Sequence, residues 1–256
     1  MLTIRQSSKM GGTVVPKKAV VTGSGRGIGL AVAEVLEGEG YEVFRLDLEP
    51  GPGIWQCDVA EPTAVERAAD AIGPVDVLVN NAGIWRFAPL EQVDPAEFKR
   101  VLDVNLRGTF HCTRYFGAAM LGKGGVIVNV ASIAASVVGS GAGAYSASKA
   151  GVVALTEQTA ISWGPRGVRC NAVAPGLIAT PGTAGIYDDP ARRAARAAAV
   201  PSRRIGTPGD VAGLVAFLVS DAASYINGET IYVDGGLSLA LLELLPRPAE
   251  LEGLDV

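Results

Sequence analysis

Short runs of apolar, often β-branched residues alternate along this chain with longer segments of helical pattern, and this alternation limits the possible folds most strongly. The predicted strands are 19–22, 42–47, 75–80, 125–131, 168–174 and 230–233. The predicted helices are 28–39, 63–71, 95–121, 142–163 and 208–220. Repeated strand–helix–strand order requires crossover connections, which place parallel strands in one sheet with helices on both faces. The predicted fold is therefore α/β, a doubly wound parallel sheet that binds ligands beyond the carboxyl ends of its strands.

No linker, charge block or fixed repeat marks a second domain in the 256 residues. Residues 16–256 are predicted to form a single domain, preceded by a flexible arm at residues 1–15. Residues 180–207 are rich in Gly, Pro, Ala and Arg and are long for a connection in a compact domain. Because this segment follows the end of a strand, we predict that it forms a lid over a ligand site, and we call it the lid segment.

Composition excludes several classes of function. A formal net charge of −4 and a pI near 5.2 argue against nucleic acid as a partner, because phosphate backbones attract clustered Lys and Arg. No apolar run is long enough for a membrane span or signal peptide, so a cytoplasmic location is expected. Cys57, Cys112 and Cys170 are predicted to be buried free thiols, as in a reducing compartment. With His111 as the only histidine and no CxxC pair, no metal site is predicted.

A glycine-rich loop follows the first predicted strand and opens a helix. Glycines permit a tight turn and let the backbone approach a pyrophosphate closely. The free N–H groups at a helix N-terminus also favour binding of a pyrophosphate. The expected contacts are Gly23, Ser24, Arg26, Gly27, Ile28 and Gly29. Asp47 ends the second predicted strand, where a carboxylate can accept hydrogen bonds from both adenosine ribose hydroxyls and repel a 2′-phosphate. This predicts a Rossmann fold that binds NAD, although Arg26 could contact either the pyrophosphate or a 2′-phosphate.

Further motifs follow in a fixed order along the chain. Asn80-Asn-Ala-Gly83 ends the third predicted strand, and Tyr145-Ser-Ala-Ser-Lys149 opens a helix. The remaining matches are Asn105, Ser132, Pro175-Gly176, Thr180 and Val233-Asp-Gly-Gly236. Together with the glycine-rich loop, these residues resemble the short-chain dehydrogenase/reductase family, in its single-domain subgroup of about 250 residues, over nearly the full length.

The resemblance implies a catalytic set of Asn105, Ser132, Tyr145 and Lys149. Tyr145 and Lys149 are four residues apart and share one helix face, so we expect the ammonium to lower the pKa of Tyr145 and prepare it as general acid and base. Ser132 is expected to donate a hydrogen bond to the substrate oxygen. The family further implies that Lys149 holds the nicotinamide ribose and that Asn105 supports a water relay to Lys149.

The resemblance also implies cofactor contacts along the remaining strand ends. Asp58 and Val59 are expected beside the adenine, and Ile178 and Thr180 at the nicotinamide carboxamide. The other expected contacts are Asn81, Ala82, Gly83, Tyr145, Lys149, Pro175 and Gly176. Val59 and Ile178 would also suit an apolar core.

The expected function is NAD-dependent hydride transfer between NAD(H) and a secondary alcohol or ketone. Trp85, Phe87 and Tyr187 favour an apolar or cyclic substrate, or else pack the lid segment against the body. Two alternatives are a 3-oxoacyl-carrier-protein reductase and a non-catalytic NAD-binding protein. A serine hydrolase is disfavoured because the Gly-x-Ser-x-Gly motif is missing. Helices 106–120 and 144–163 and the tail 237–245 are apolar over more than one face, which predicts a homotetramer, as is common in the family.

Overall fold

The computed structural model describes residues 15–244, and its centre is a seven-stranded parallel sheet of order β3-β2-β1-β4-β5-β6-β7. The strands are β1 (Lys18–Thr22), β2 (Glu42–Asp47), β3 (Ile54–Gln56), β4 (Val77–Asn80), β5 (Gly125–Val130), β6 (Val168–Pro175) and β7 (Thr230–Val233). The strand order reverses between β1 and β4, which pair in parallel. Such a switch point leaves a crevice at the carboxyl ends of the two strands.

The helices cover both faces of the sheet. They are α1 (Gly27–Gly38), α2 (Pro62–Ile72), α3 (Pro95–Leu102), α4 (Gly108–Tyr115), α5 (Ala144–Trp163), α6 (Ala184–Tyr187), α7 (Pro190–Ala199) and α8 (Pro208–Val219). On β1, Ala19 and Val21 pack in the cluster formed with α1 and α8, whereas Val20 packs in the cluster formed with α2, α4 and α5. Successive strand residues point to opposite faces, so both sides of this strand are buried.

Local capping signals set where several helices begin. Asp94 and Asp189 each accept a hydrogen bond from the backbone N–H two residues later, and a proline follows each of them at the first helical position. Thr207 and Asp210 form a capping box before α8. These groups satisfy N–H donors that have no partner inside the helix, which fixes the entry of α3, α7 and α8.

The predicted fold class is confirmed, and so are all six predicted strands, with ends that differ by at most two residues. The edge strand β3 was missed because three residues are too few to show a period. The single helix predicted at 95–121 is wrong. It is interrupted by a π-helical turn at Asp103–Arg107 and ends in a 3₁₀ turn at Gly117–Met120. The lid segment contains two helices, α6 and α7, which the sequence analysis did not predict.

Further sequence predictions concern the cysteines, membrane spans, metal sites and the two ends of the chain. The three cysteines are buried and free, as predicted. Within residues 15–244, no helix is long and apolar enough to cross a membrane, and no cluster of three or more His, Cys, Asp or Glu residues could hold a metal ion. His111 is buried, with Nδ1 3.0 Å from the carbonyl oxygen of Val59. The predicted arm, apart from Val15, and the last residue of the predicted apolar tail lie outside the described residues.

Candidate active site

A cavity of about 770 Å³ opens at the carboxyl ends of the central strands, beside the switch point. It brings together most residues predicted for the cofactor and substrate. These are Gly23, Arg26, Gly27, Ile28, Asp47, Asp58, Val59, Asn81, Ala82, Gly83, Trp85, Phe87, Tyr145, Lys149, Pro175, Gly176, Ile178, Thr180 and Tyr187. Four predicted residues do not line it: Ser24, Gly29, Asn105 and Ser132.

The glycine-rich loop packs tightly against Asn81 and Ala82 at Gly23, where no side chain fits. Gly23 has a φ of 63°, and a Cβ atom there would lie 2.7 Å from the Cα of Ala82. Gly27, with a φ of 61°, begins α1 after Arg26, so the N–H groups of the first helical turn face the cavity side of the loop. A dipole and free donors at this point suit a pyrophosphate.

Two residues of this loop have structural roles instead of the predicted cofactor contacts. Ser24 is fully buried, and its hydroxyl donates a hydrogen bond of 3.1 Å to the carbonyl oxygen of Leu46, so it faces β2. A Cβ atom at Gly29 would lie 2.2 Å from the carbonyl oxygen of Gly23. Gly29 therefore permits the loop to fold back on its own helix. Because the strand-to-helix turn is tight, the side chain of Ser24 and the Cβ direction of Gly29 both point into the protein and away from the cavity.

Asp47 is held at the end of β2 by backbone donors on both of its carboxylate oxygens. Oδ2 accepts a hydrogen bond of 2.8 Å from the N–H of Gly25, and Oδ1 accepts one of 3.2 Å from the N–H of Glu49. A Cβ atom at position 25 would lie 3.0 Å from Oδ2, so any larger residue there would push the carboxylate out of this position. The carboxylate is thus fixed at the cavity wall before any ligand binds.

Asn81 and Asp58 shape the adjoining wall. The Asn81 side-chain amide donates to the carbonyl oxygens of Thr22 and Gly23, at 3.0 and 2.9 Å. Asp58 accepts a hydrogen bond of 2.9 Å from the N–H of Ala60. Both side chains therefore stabilise the loops that line the cavity, in addition to facing it.

The predicted catalytic pair lies at the start of α5. The Nζ of Lys149 donates a hydrogen bond of 2.7 Å to the carbonyl oxygen of Val130, the last residue of β5, and lies 5.8 Å from the centroid of the Tyr145 ring. Ser132, two residues beyond β5, is 9% exposed, and its Oγ accepts a hydrogen bond of 3.1 Å from the N–H of Ala134. A strand end and a helix start thus bring these three side chains together from different parts of the chain.

Burial dominates the electrostatics of this group. It raises the pKa of Tyr145, and a hydrogen bond with Ser132 acts in the opposite direction. It also lowers the pKa of Lys149 from 10.5 to about 8. The expected lowering of the Tyr145 pKa by Lys149 is not seen here, because desolvation, which disfavours the charged form of each side chain, is the dominant effect on both.

Asn105 acts from behind the cavity wall. It lies in the π-helical turn, is fully buried, and exchanges hydrogen bonds with the backbone of Ile84 at 2.8 and 2.9 Å. Its amide also donates to the Ser148 hydroxyl at 2.9 Å. A Cβ atom at Gly83 would lie 3.3 Å from Asn105 Oδ1 and 3.6 Å from Lys149 Nζ, so the glycine keeps open the space between them. A π-helical turn often marks a functional position of this kind.

Aromatic side chains form the opposite part of the cavity. The rings of Phe87 and Tyr145 lie 6.4 Å apart in an edge arrangement. Trp85 packs on the lid segment, where a Cβ atom at Gly182 would lie 2.8 Å from Trp85 Cη2. Tyr187 lines the cavity from α6. The aromatic residues therefore both face the cavity and hold the lid segment against the body.

Several cavity residues were not identified from the sequence. Among them are Ile84, Leu177, Gly182, Thr183, Ile186 and Arg196. Thr183 gave a readable signal, because Thr180-Pro-Gly-Thr183 is a capping motif in which the two threonines bond each other's backbone. Arg196 gave no readable signal, since a single sequence does not show which arginine of a helix faces inward.

Comparison with known proteins gives matches over most of the chain. A family model described as enoyl-(acyl carrier protein) reductase matches residues 23–238. The chain is 38% identical over 243 residues to a D-threitol dehydrogenase of Mycolicibacterium smegmatis, covering 87% of this chain and 93% of that protein. It is 40% identical over 247 residues to a cis-4-hydroxycyclohexanecarboxylate dehydrogenase of Sinomonas cyclohexanicum, covering 89% and 98%. A gluconate 5-dehydrogenase structure from Burkholderia cenocepacia J2315, in complex with NADP and tartrate, has a TM-score of 0.84 at 32% identity, covering 88% and 96%.

Proposed function

This chain belongs to the short-chain dehydrogenase/reductase family, and we propose that it transfers a hydride reversibly between NAD(H) and a secondary alcohol or ketone of apolar or cyclic form. The observation that carries the proposal is the placement of Tyr145 and Lys149 on the cavity wall at the start of α5, with Ser132 beside them. A protein that only bound a dinucleotide would have no need of a proton donor there. NAD, when bound, accepts or returns the hydride.

The chain's own residues would move the proton. In alcohol oxidation, Tyr145 takes the hydroxyl proton as the substrate carbon loses its hydride, and in reduction it returns that proton. Ser132 donates a hydrogen bond to the same substrate oxygen, where negative charge develops. Lys149, held by the carbonyl oxygen of Val130, would bind the nicotinamide ribose, and its Nζ lies 5.8 Å from the centroid of the Tyr145 ring. Asn105 would support a water relay to Lys149 across the space that Gly83 leaves open.

NAD is the proposed cofactor, and the cavity fits it. The N-terminus of α1 and Arg26 would hold the pyrophosphate, and Asp47 would hold the adenosine ribose hydroxyls. Ile178 and Thr180 would contact the nicotinamide carboxamide. NADP in the gluconate dehydrogenase structure weighs the other way. We favour NAD because a fixed carboxylate at the ribose would repel a 2′-phosphate.

Assembly and location complete the proposal. Exposed apolar side chains lie on α4 and α5 and at the far edge of the sheet, including Phe110, Ile161 (77% exposed), Tyr225 (100%) and Leu239 (86%). Two separate apolar surfaces support a homotetramer, which needs at least two kinds of interface. Three buried free thiols support a reducing compartment, and we propose the cytoplasm.

One assay tests the activity. Absorbance at 340 nm is followed with cyclic, aromatic and polyol alcohols plus NAD or NADP, and with the matching ketones plus the reduced cofactors. We expect turnover of cyclic or apolar secondary alcohols. Binding of NADH without turnover of any member would favour the non-catalytic reading, and a preference for phosphorylated or polyanionic substrates would contradict the proposed substrate class.

The second candidate is a 3-oxoacyl-carrier-protein reductase. The matched family model, whose description names an acyl-carrier-protein reductase, favours it, and Arg192, Arg193 and Arg196 on α7 offer a small basic surface. The acidic balance and Asp47 weigh against it, since the family usually pairs that activity with NADP and a basic docking patch. Acetoacetyl-coenzyme A belongs in the same assay, and fast reduction with NADPH would favour this candidate.

A further inference from the structure

Arg196 is a charged cavity residue for which the proposed proton transfer has no use. It belongs to α7 with Arg192 and Arg193, which are exposed, whereas Arg196 is half-buried and is the only one of the three that lines the cavity. None of the ion pairs found within residues 15–244 includes Arg196. A guanidinium enclosed in a pocket without a carboxylate partner is a candidate for binding an anionic ligand.

Tyr187 holds this guanidinium in place. The Cζ of Arg196 lies 6.0 Å from the centroid of the Tyr187 ring, and Tyr187 is only 7% exposed. The charge of Arg196 and its hydrogen bonding to the tyrosine oppose the desolvation that raises the pKa of Tyr187. Stacking on a buried ring restricts the long side chain, so less conformational entropy is lost when it binds a ligand.

The acidic side chains that line the cavity are not on the lid segment. Three of them lie at or just after the ends of β2 and β3, at the end assigned to the adenosine: Asp47, Glu49 and Asp58. The fourth, Asp103, pairs with Lys99 and Arg107. The lid segment contributes no acid to the cavity lining. The lid segment therefore lines the cavity with small, apolar and aromatic residues and one positive charge, that of Arg196.

We propose that Arg196 binds a carboxylate carried by the substrate. This inference rests on the proposed function and narrows its substrate class to secondary alcohols with an apolar, ring-like body and one carboxylate remote from the reacting carbon. Trp85 and Phe87 would contact the body, Tyr145 the hydroxyl, and Arg196 the carboxylate. A planar guanidinium can donate two parallel hydrogen bonds to a carboxylate, which fixes both its position and its orientation. The pyrophosphate of the cofactor would have its own partners in Arg26 and the first turn of α1.

Binding of an unreactive ligand tests the residue without relying on turnover. Calorimetry compares cyclohexanecarboxylate with its neutral amide, cyclohexanecarboxamide, on the NADH-treated protein. We expect Arg196→Gln to weaken carboxylate binding by at least ~10-fold and to leave the amide unchanged. Arg196→Lys should lie between, and Arg192→Gln, which removes the same charge from an exposed position, should bind like the wild type. No detectable carboxylate binding, or an equal loss for both ligands, would overturn the proposal.

Steady-state kinetics distinguishes the substrate from the cofactor as the bound anion. The wild type and Arg196→Gln are compared with cis-4-hydroxycyclohexanecarboxylate and with its methyl ester. We expect the variant to raise KM for the acid, with KM for the ester and for NAD unchanged. A raised KM for NAD with an unchanged KM for the acid would assign Arg196 to the pyrophosphate and refute the inference. Absence of turnover with every alcohol would contradict the proposed function, while the calorimetry still decides whether Arg196 binds carboxylates.

Discussion

Replacement of Asp47 gives the sharpest test of cofactor choice. The carboxylate is fixed by the N–H groups of Gly25 and Glu49 and lies on the cavity wall, so it is oriented before the adenosine ribose arrives. NADP replaces one ribose hydroxyl with a phosphate and so removes a charge-assisted hydrogen bond of about 1.5–3 kcal/mol. Since about 1.4 kcal/mol corresponds to tenfold, this loss alone predicts at least a ~10-fold preference for NAD.

Repulsion adds to the lost hydrogen bond. Two unit charges about 4 Å apart near a protein surface repel by about 4 kcal/mol before salt screening, and the phosphate carries nearly two charges. The total preference should therefore exceed the tenfold minimum and should decrease as the salt concentration rises. A salt-independent preference would argue that shape, rather than charge, sets the choice.

The assay is the ratio of kcat/KM with NAD to kcat/KM with NADP for one alcohol. Asp47→Asn keeps an oxygen that can accept from Gly25 and removes the charge, and Asp47→Ser removes most of the side chain. Both should reduce the preference, mainly by improving kcat/KM with NADP, for which Arg26 becomes available. Glu42→Gln is the matched control, because it removes an equal charge from an exposed position at the opposite end of β2, outside the cavity lining, and should change the ratio little. A wild type that prefers NADP, or variants that leave the ratio unchanged, would refute the reasoning and point to Arg26.

Three further predictions address chemistry, stability and assembly. Tyr145→Phe should lower turnover by at least ~100-fold and leave the affinity for NADH nearly unchanged, because only the transferable proton is lost; more than about a tenth of wild-type turnover would move the acid/base role elsewhere. Burial lowers the pKa of Lys149 from 10.5 to about 8, so the folded state carries a cost below about pH 8 that disappears as the pH rises towards 10.5. Lys149→Met should therefore stabilise the protein by up to about 3 kcal/mol near pH 7 and by less near pH 10 in denaturant titrations at one protein concentration, and an equal difference at both pH values would contradict this origin. Light scattering at micromolar concentration should show a tetramer, and a stable monomer would count against the two exposed apolar surfaces as interfaces.

The sequence determined the features that depend on local periodicity. Short continuous apolar runs located all six longer strands, because parallel strands that are covered on both faces are apolar throughout. The four-residue spacing of Tyr145 and Lys149 placed both at one helix face, since four residues make slightly more than one turn. The glycine-rich loop and Asp47 located the predicted cofactor end of the cavity, because each lies at the carboxyl end of a strand.

Only the tertiary structure decided which side chains face the cavity. Ser24 directly follows the cavity-lining Gly23 but points to β2. Asn105 is held behind the cavity wall by hydrogen bonds with Ile84 and Ser148, which come from other elements. Arg196 differs from its neighbouring arginines only in lying over the ring of Tyr187. A residue's direction here depends on contacts with segments distant in the chain, and one sequence carries no record of those contacts. The fold class was predictable because it follows from patterns repeated over many residues, whereas the inner geometry of the site depends on a few single contacts.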